Sequence, residues 1–303
     1  PQGLLNLRSR PELIMAGLGI LLFATIVLAI CSGAVSVTPG QVVSILFSKI
    51  GINLPWEYEM RDELVVMSLR LPRILLGLLV GATLALSGAS LQGLFRNPLA
   101  DPSLIGVTAG ASLGASLVIV FVVGYQVPWL NMSLLSIGAF LGGMLAVYLV
   151  YSLAKNPFGT SVATMLLAGI GITALVGSVT GFLEFYADNE MLRRISLWRM
   201  GGLEAATFDH VLLAGSVAIL MFIVLPRYSY ALNALLLGES EARHLGIDTE
   251  QLKKISILFV AAGVGICVAL AGVIGFVGLV VPHIFRLLIG PDHRYLLPAS
   301  ALG

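Results

Sequence analysis

Charged and apolar positions alternate along this chain on the scale of whole segments rather than of single residues. Runs without Asp, Glu, Lys or Arg cover 13–48, 74–95, 102–154, 156–183, 211–226 and 255–285. A helix needs about 20 apolar residues to cross a bilayer, so 102–154 predicts two spans. Their break falls at Val123–Trp129, where Gly124, Tyr125, Pro128 and Trp129 supply a turn and interfacial aromatics. The stretch 255–290 also exceeds one crossing, and Gly272-Val-Ile-Gly275 predicts a turn followed by a shorter helix. The pattern predicts eight spans, at 13–35, 74–95, 104–123, 130–152, 161–183, 209–226, 254–272 and 276–289. After Pro291-Asp-His-Arg294, the segment Tyr295 to Gly303 reads as a further span begun and not finished, so the native chain is expected to run on.

Composition turns this pattern into a fold class. Hydrophobic residues make up 58% of the 303 and charged residues 11%, against about 25% charged in ordinary globular domains. Mean hydropathy is +0.99. A soluble fold cannot hide that much apolar side chain, so the chain reads as an all-α polytopic membrane protein with one transmembrane domain over 1–303. A net charge of +1 and two cysteines remove nucleic-acid-binding, disordered and disulfide-rich classes. Cys31 and Cys267 sit in apolar runs and read as small hydrophobes. The first run, Leu13 to Val37, is too long for a signal-peptide core and reads as a span.

Charge also orients the spans. With the N-terminus inside, cytoplasmic segments carry ten Lys and Arg against seven acids, and outer segments seven against nine. The bias follows the positive-inside rule and places the N-terminus in the cytoplasm.

The chemistry that is missing narrows function. No predicted span interior places an Asp, Glu, Lys or Arg near its middle, whereas ion-coupled carriers generally need such a group. Polar Thr83, Ser87, Gln92, Ser112, Thr173 and Thr180 read mainly as hydrogen-bonding glue between helices. His210, His244, His283 and His293 lack metal-ligand or haem-ligand spacing. No Gly-Lys pair occurs, so the chain has no phosphate-cradling P-loop. If it pumps, another subunit supplies the energy, and ATP and Mg belong to that subunit rather than to this chain. Gly77/Gly81, Gly106/Gly110/Gly114, Gly138/Gly142 and Gly177/Gly181 repeat the Gly-x-x-x-Gly spacing that lets helix backbones touch in lipid. They serve as packing seams, or some of them line a path wide enough for a bulky solute.

Two segments ask for partners. Between the sixth and seventh spans, Gly238-Glu-Ser-Glu-Ala-Arg-His-Leu-Gly246 brackets a helix of about two turns. Glu239 and Glu241 fall in its first turn and Arg243 and His244 in its last, the order that suits the helix dipole. Ala242 and Leu245, three apart, are expected on one face. Such a helix is an ordered connector or takes force from a soluble partner. At the predicted outer mouth of the second span, Arg70 and Arg73 lie three apart in Arg70-Leu-Pro-Arg73. They anchor the helix to lipid phosphates or receive carboxylates from an external partner.

These segments also carry a family resemblance. Arg70-Leu-Pro-Arg73, Gly81-Ala-Thr-Leu-Ala-Leu-Ser-Gly88, Asn97-Pro-Leu-Ala-Asp-Pro102 with Leu104-Ile-Gly106, Leu167-Ala-Gly169, Ala234 to Gly246 and Ala271-Gly-Val-Ile-Gly-Phe-Val-Gly-Leu-Val-Val-Pro-His283 follow one another in order. Together they resemble the FecCD-type permeases, membrane subunits of type II ABC importers for iron-siderophores, haem and vitamin B12. The resemblance implies ten helices per subunit, two more than the eight spans found here. It implies a homodimer or pseudo-dimer in the bacterial inner membrane, two cytoplasmic ATPase subunits below and a periplasmic binding protein above. By the same resemblance, Gly238, Glu239, Ser240, Glu241, Ala242, Arg243, His244, Leu245 and Gly246 match the coupling helix that sits in the ATPase. Arg70 and Arg73 match arginines that meet glutamates of the binding protein. Transport would proceed by alternating access, with no catalytic, cofactor or metal site in this chain. Haem or ferric siderophore is the expected cargo, with vitamin B12 the alternative and an ATP-independent secondary transporter the reading from a different class.

Overall fold

The computed structural model describes residues 11–122, 128–157 and 159–303. Its helices are α1 (Pro11–Cys31), α2 (Pro39–Ser48), α3 (Met60–Leu94), α4 (Val107–Phe121), α5 (Pro128–Ala154), α6 (Val162–Tyr186), α7 (Asn189–Met200), α8 (Phe208–Leu237), α9 (Glu239–His244), α10 (Thr249–Ala271), α11 (Val277–Ile289) and α12 (His293–Leu302). One two-stranded hairpin, β1 (Lys155–Asn156) and β2 (Gly159–Thr160), joins α5 to α6. The chain is an all-α polytopic membrane protein.

Among the described residues, α1, α3, α5, α6, α8 and α10 are long and apolar enough to cross a bilayer, six rather than the eight expected. The other two predicted spans exist as helices but are short: α4 has 15 residues and α11 has 13. α4 begins after a turn that the charge spacing does not reveal, whereas α11 is the shorter helix expected after the Gly272–Gly275 turn. The 3-10 turn Pro102–Ile105 and Gly106, at φ +80°, precede α4. The turn from Gly272, at φ +66°, precedes α11. Residues 123–127, most of the predicted break between the third and fourth spans, lie outside the described residues, as do Arg8 and Arg10; Pro128 and Trp129 open α5. The segment predicted as an unfinished span forms α12, whose N-cap Asp292 accepts from the Arg294 amide.

Two helices were not foreseen. α2 occupies the tail of the first charge-free run, and a capping box starts it: the Gln41 amide donates to Thr38 Oγ1, and the Thr38 amide to Gln41 Oε1. α7 lies in the charged segment between the fifth and sixth predicted spans, where Asp188 caps it through the Met191 amide. α3 begins at Met60, well before the predicted start at 74, and carries a π-helical stretch at Val65–Arg70.

The core is built on α3 and α10. From Ala82 to Leu94 every residue of α3 is buried, against α10, α11, α12 and α8. Thr83, Ser87 and Ser90 are small enough to lie inside this packing. Gln92 is helix glue, donating to Leu279 O at 3.1 Å and accepting from Arg286 at 3.4 Å. α4 and α5 pair most extensively, through facing glycines: a Cβ on Gly110 would meet Gly142 O, and one on Gly114 would meet Gly138 O. These two motifs are packing seams. α1 and α6 lie outside the core with mostly exposed apolar faces, the surface that lipid or another membrane subunit covers.

Candidate functional site

Three regions hold the residues that the sequence singled out. The first is the polar end where α3, α5, α8 and α11 stop and α4, α6, α10 and α12 follow. Gly238 leaves α8 at φ +127° and ψ 155°, a conformation open to glycine, and Gly246 at φ +80° closes α9 behind. Between them, Glu239 to His244 form the short helix expected there. Glu239 and Arg243 pair across one turn at 3.6 Å. Arg243 Nε also donates to Thr249 Oγ1 at 3.2 Å, tying α9 to α10. Ala242 and Leu245 do not share an environment, contrary to the expectation from their spacing. Ala242 is buried, whereas Leu245 ends the helix and is 53% exposed. The chain reverses there, with the Ile247 amide donating to Ala242 O, so Leu245 turns away from the body. Ser240, Glu241, His244 and Leu245 together make an exposed outer face on a helix whose other side is fixed through Ala242 and Arg243.

The same end holds a buried cation that sequence reasoning counted only as a cytoplasmic charge. Lys253 is 1% exposed, and its Nζ reaches Thr160 O at 2.6 Å, Glu239 Oε1 at 2.8 Å and Glu250 Oε1 at 3.0 Å. Nearby, Asp292 accepts from Arg294 and from Asn233 Nδ2. The Arg294 guanidinium holds its carboxyl down at about 2 against partial desolvation. His293, expected at a membrane edge, is fully buried: Gly93 leaves room for its ring, and Nδ1 lies 2.7 Å from Asn233 Oδ1.

The second region is the opposite end. Arg70 and Arg73 lie inside α3 rather than at the mouth of a helix. Arg70 Nη1 donates to Ile30 O at 2.7 Å and Nη2 to Val35 O, so this guanidinium closes the carbonyl end of α1. Arg73 is exposed and makes a single long bond, Nε to Leu203 O at 3.3 Å. Both are anchored on the rim that α7 and the following turn complete. At that rim Lys49 pairs with Glu63, whose carboxylate raises the ammonium pKa.

The third region is a cleft of about 650 Å³ along α6. Thr108, Ser112, Thr173 and Thr180 line it with Gly169, Gly177 and apolar neighbours. Of the polar residues predicted as glue, Thr173 is exposed to this space, whereas Ser112 and Thr180 border it but are buried, and the Thr180 hydroxyl donates to Val176 O at 2.8 Å. Arg199 is the one charged side chain among the described residues of the lining, and it pairs with Glu184 at 2.6 Å. Among the described residues, no three His, Cys, Asp or Glu side chains gather as a metal site.

Two short patterns resemble nucleophile motifs, Gly110-Ala-Ser-Leu-Gly114 and Ser152-Leu-Ala-Lys155. Neither has the context that catalysis needs. Ser112 lies mid-helix, where its flanking glycines serve the contact with α5. Ser152 is exposed at the end of α5, and Lys155 is exposed in the hairpin.

The hemin transport system permease protein HmuU of Yersinia pestis is 40% identical over 301 residues, covering 99% of this chain and 86% of its own. The cobalamin import system permease protein BtuC of Halobacterium salinarum is 43% identical over 244 residues, 79% of this chain and 63% of its own. A solved structure described as an inward-facing conformation of a metal-chelate type ABC transporter superposes with a TM-score of 0.82 at 32% identity, covering 96% of this chain and 86% of that one. Residues 21–303 match the FecCD transport family. With a family match over nearly its whole length, and with relatives above 30% identity that it largely covers, the chain belongs to the FecCD transport family.

Proposed function

We propose that this chain is the permease subunit of an ATP-driven importer that moves haem or a ferric siderophore from periplasm to cytoplasm. The observation that carries this reading is α9. It is a six-residue helix fixed to α10 on one side, with Glu241, His244 and Leu245 exposed on the other. A soluble ATPase pushing on that face moves α10 directly. Two copies of the permease would meet along α6, whose exposed face and adjacent cleft supply a wall without a fixed charge except at Arg199. A bulky chelate travels best along a wall that binds it weakly, because tight binding there would deepen a trap rather than speed release. Selectivity then belongs to a periplasmic binding protein that docks on the rim carrying Arg70 and Arg73. The N-terminus lies in the cytoplasm.

Identity to the Yersinia permease over nearly the whole chain supports haem or a related metal chelate. The 43% identity to the halobacterial cobalamin permease supports vitamin B12 as the second reading.

Reconstitution with the cognate ATPase and binding protein tests both. Proteoliposomes should accumulate haem or a ferric chelate only when ATP is supplied to the ATPase side. Accumulation of cobalamin instead selects the second reading. Accumulation with no ATPase present overturns the importer.

A further inference from the structure

The network around Lys253 links three segments that the sequence keeps far apart. An ammonium group has three N–H donors, and each has a different owner for its acceptor. Thr160 O belongs to the hairpin ahead of α6, Glu250 Oε1 to the first turn of α10, and Glu239 Oε1 to α9. A buried Lys is stable only when it is paired and its protons are all placed, and here they are. Glu250 grips the hairpin a second time, since its Oε2 accepts from the Thr160 amide at 2.8 Å. Both main-chain polar groups of Thr160 are therefore held by α10. Gly159 lets the carboxylate approach, because a Cβ there would stand 2.7 Å from Glu250 Oε1. The second carboxylate, Glu239, has Arg243 at 3.6 Å, so two cations balance two anions.

The hairpin is in turn rigidly joined to α6. The Ser161 amide donates to Ala154 O at 3.0 Å, and the Ser161 hydroxyl caps α6 through the Thr164 amide at 3.2 Å. α6 carries Gly169, Thr173, Gly177 and Thr180 of the cleft wall. A path of direct contacts therefore runs from the outer face of α9, through one buried nitrogen, to the helix that lines the cleft.

We propose that Lys253 is the positioning residue that transmits displacement of α9 to α6. It makes α9, the start of α10 and the hairpin move as one body. The inference rests on the reading of α9 as the ATPase contact. With the link intact, a push on α9 shifts the start of α6. With it cut, α9 can follow the ATPase while α6 stays behind, and ATP is hydrolysed without transport.

The test uses the full complex with its ATPase and binding protein in proteoliposomes. The solute is whichever of haem, a ferric hydroxamate chelate and cobalamin the wild-type complex accumulates. Lys253→Met should retain the ATPase on purification and hydrolyse ATP within about twofold of wild type, while solute moved per ATP falls on the order of ten-fold. Glu250→Gln, which removes the charge that grips both the Thr160 amide and Lys253 while leaving the Lys253 bonds to Glu239 and Thr160 O in place, should lower the same ratio, and it carries the test if Lys253→Met does not assemble. Lys253→Arg should restore part of it. Spin labels at Lys155→Cys and Glu241→Cys in a Cys31→Ser background report the motion itself. Their separation should stay constant across nucleotide states in the wild type and change between states in Lys253→Met. Unchanged solute per ATP in both Lys253→Met and Glu250→Gln, or a wild-type label separation that varies with nucleotide, overturns the inference alone. A wild-type chain that retains no ATPase overturns the reading of α9 and the inference with it.

Discussion

Two pairs of glycines with the same spacing have opposite fates in this molecule. Gly110 and Gly114 on α4 face Gly142 and Gly138 on α5 with backbones in contact, and a single added methyl would strike a carbonyl. Gly177 and Gly181 on α6 have nothing within 4 Å of where a Cβ would stand. In lipid, where burying apolar surface brings helices no net gain, close backbone approach is itself a source of attraction. The first pair uses that attraction inside one subunit. The second leaves it for something outside, and its neighbours Thr173 and Thr180 border the cleft. The spacing is a geometric opportunity, and the fold decides whether it is taken.

Breaking the first pair should have the largest effect. Gly114→Leu forces α4 and α5 apart and should cost more than about 4 kcal/mol, the range reserved for gross misfit of a packed element. Loss of monodisperse protein in size-exclusion chromatography would show it, and a normally folded variant would mean that α4 and α5 tolerate separation.

The same contrast between a group committed inside and one left for a partner recurs in the two arginines. Arg70→Met removes two hydrogen bonds from a charged donor, one to Ile30 O in the last turn of α1 and one to Val35 O in the segment that follows it. It should lower stability by about 1.5–3 kcal/mol, read as a drop in thermal midpoint. Arg73→Glu should leave that midpoint near wild type and instead weaken docking of the binding protein, along with the salt dependence of docking. Titration of the binding protein at two ionic strengths separates the variants, and equal docking loss without any stability difference would refute the division.

Gly181→Ala is the counterpart of Gly114→Leu. With open space around it and a helix interior that favours Ala, stability should rise by up to about 1 kcal/mol in thermal unfolding. A large loss instead would mean that a second subunit presses directly on Gly181. The smallest effect belongs to an exposed turn in neither region. Asp292 titrates at about 2, below the ordinary 3.8, chiefly through the Arg294 side chain. A depressed carboxylate contributes stability above its unfolded pKa and loses it as pH falls from about 4 toward 2. Asp292→Asn keeps the cap but not the charge, and with solvent screening should cost about 1 kcal/mol at pH 7. The gap from wild type in unfolding curves should narrow steadily as pH falls from about 4 toward 2.

The sequence was most legible where physics acts over a whole segment. Among the described residues, charge-free runs located eight of twelve helices, because desolvating a charge in lipid is costly at any position in the run. It was less legible where one local contact decides. α2 hides in the run 13–48, and its only sign is the Thr38-Pro-Gly-Gln41 capping pattern. Lys253 and Lys254 are adjacent and alike as letters. Helical phase puts the first beside buried Leu252 and Ser256 and leaves the second exposed. The short helix at 239–244 was readable from its two glycines, whereas the split between Ala242 and Leu245 depended on the Ile247 amide folding back. Exposed Thr173 could not be told from buried Thr180, since a hydroxyl suits a packed seam and an open wall equally.

The thirteen residues of α11 rise about 20 Å, some 10 Å less than the hydrocarbon thickness of a bilayer. The turn Gly272–Gly275 therefore opens at a depth where bare peptide groups meeting acyl chains would be intolerable. The segment after α7 roofs part of it, with the Gly202 amide donating to Ala271 O at 2.8 Å. Val273 borders the large cleft, and Gly275 and Phe276 border a second hollow beside it. The peptide groups of that turn must therefore be met by protein or by water standing in these hollows rather than by acyl chains, which makes this the place where the subunit's wall is least like the bilayer it replaces.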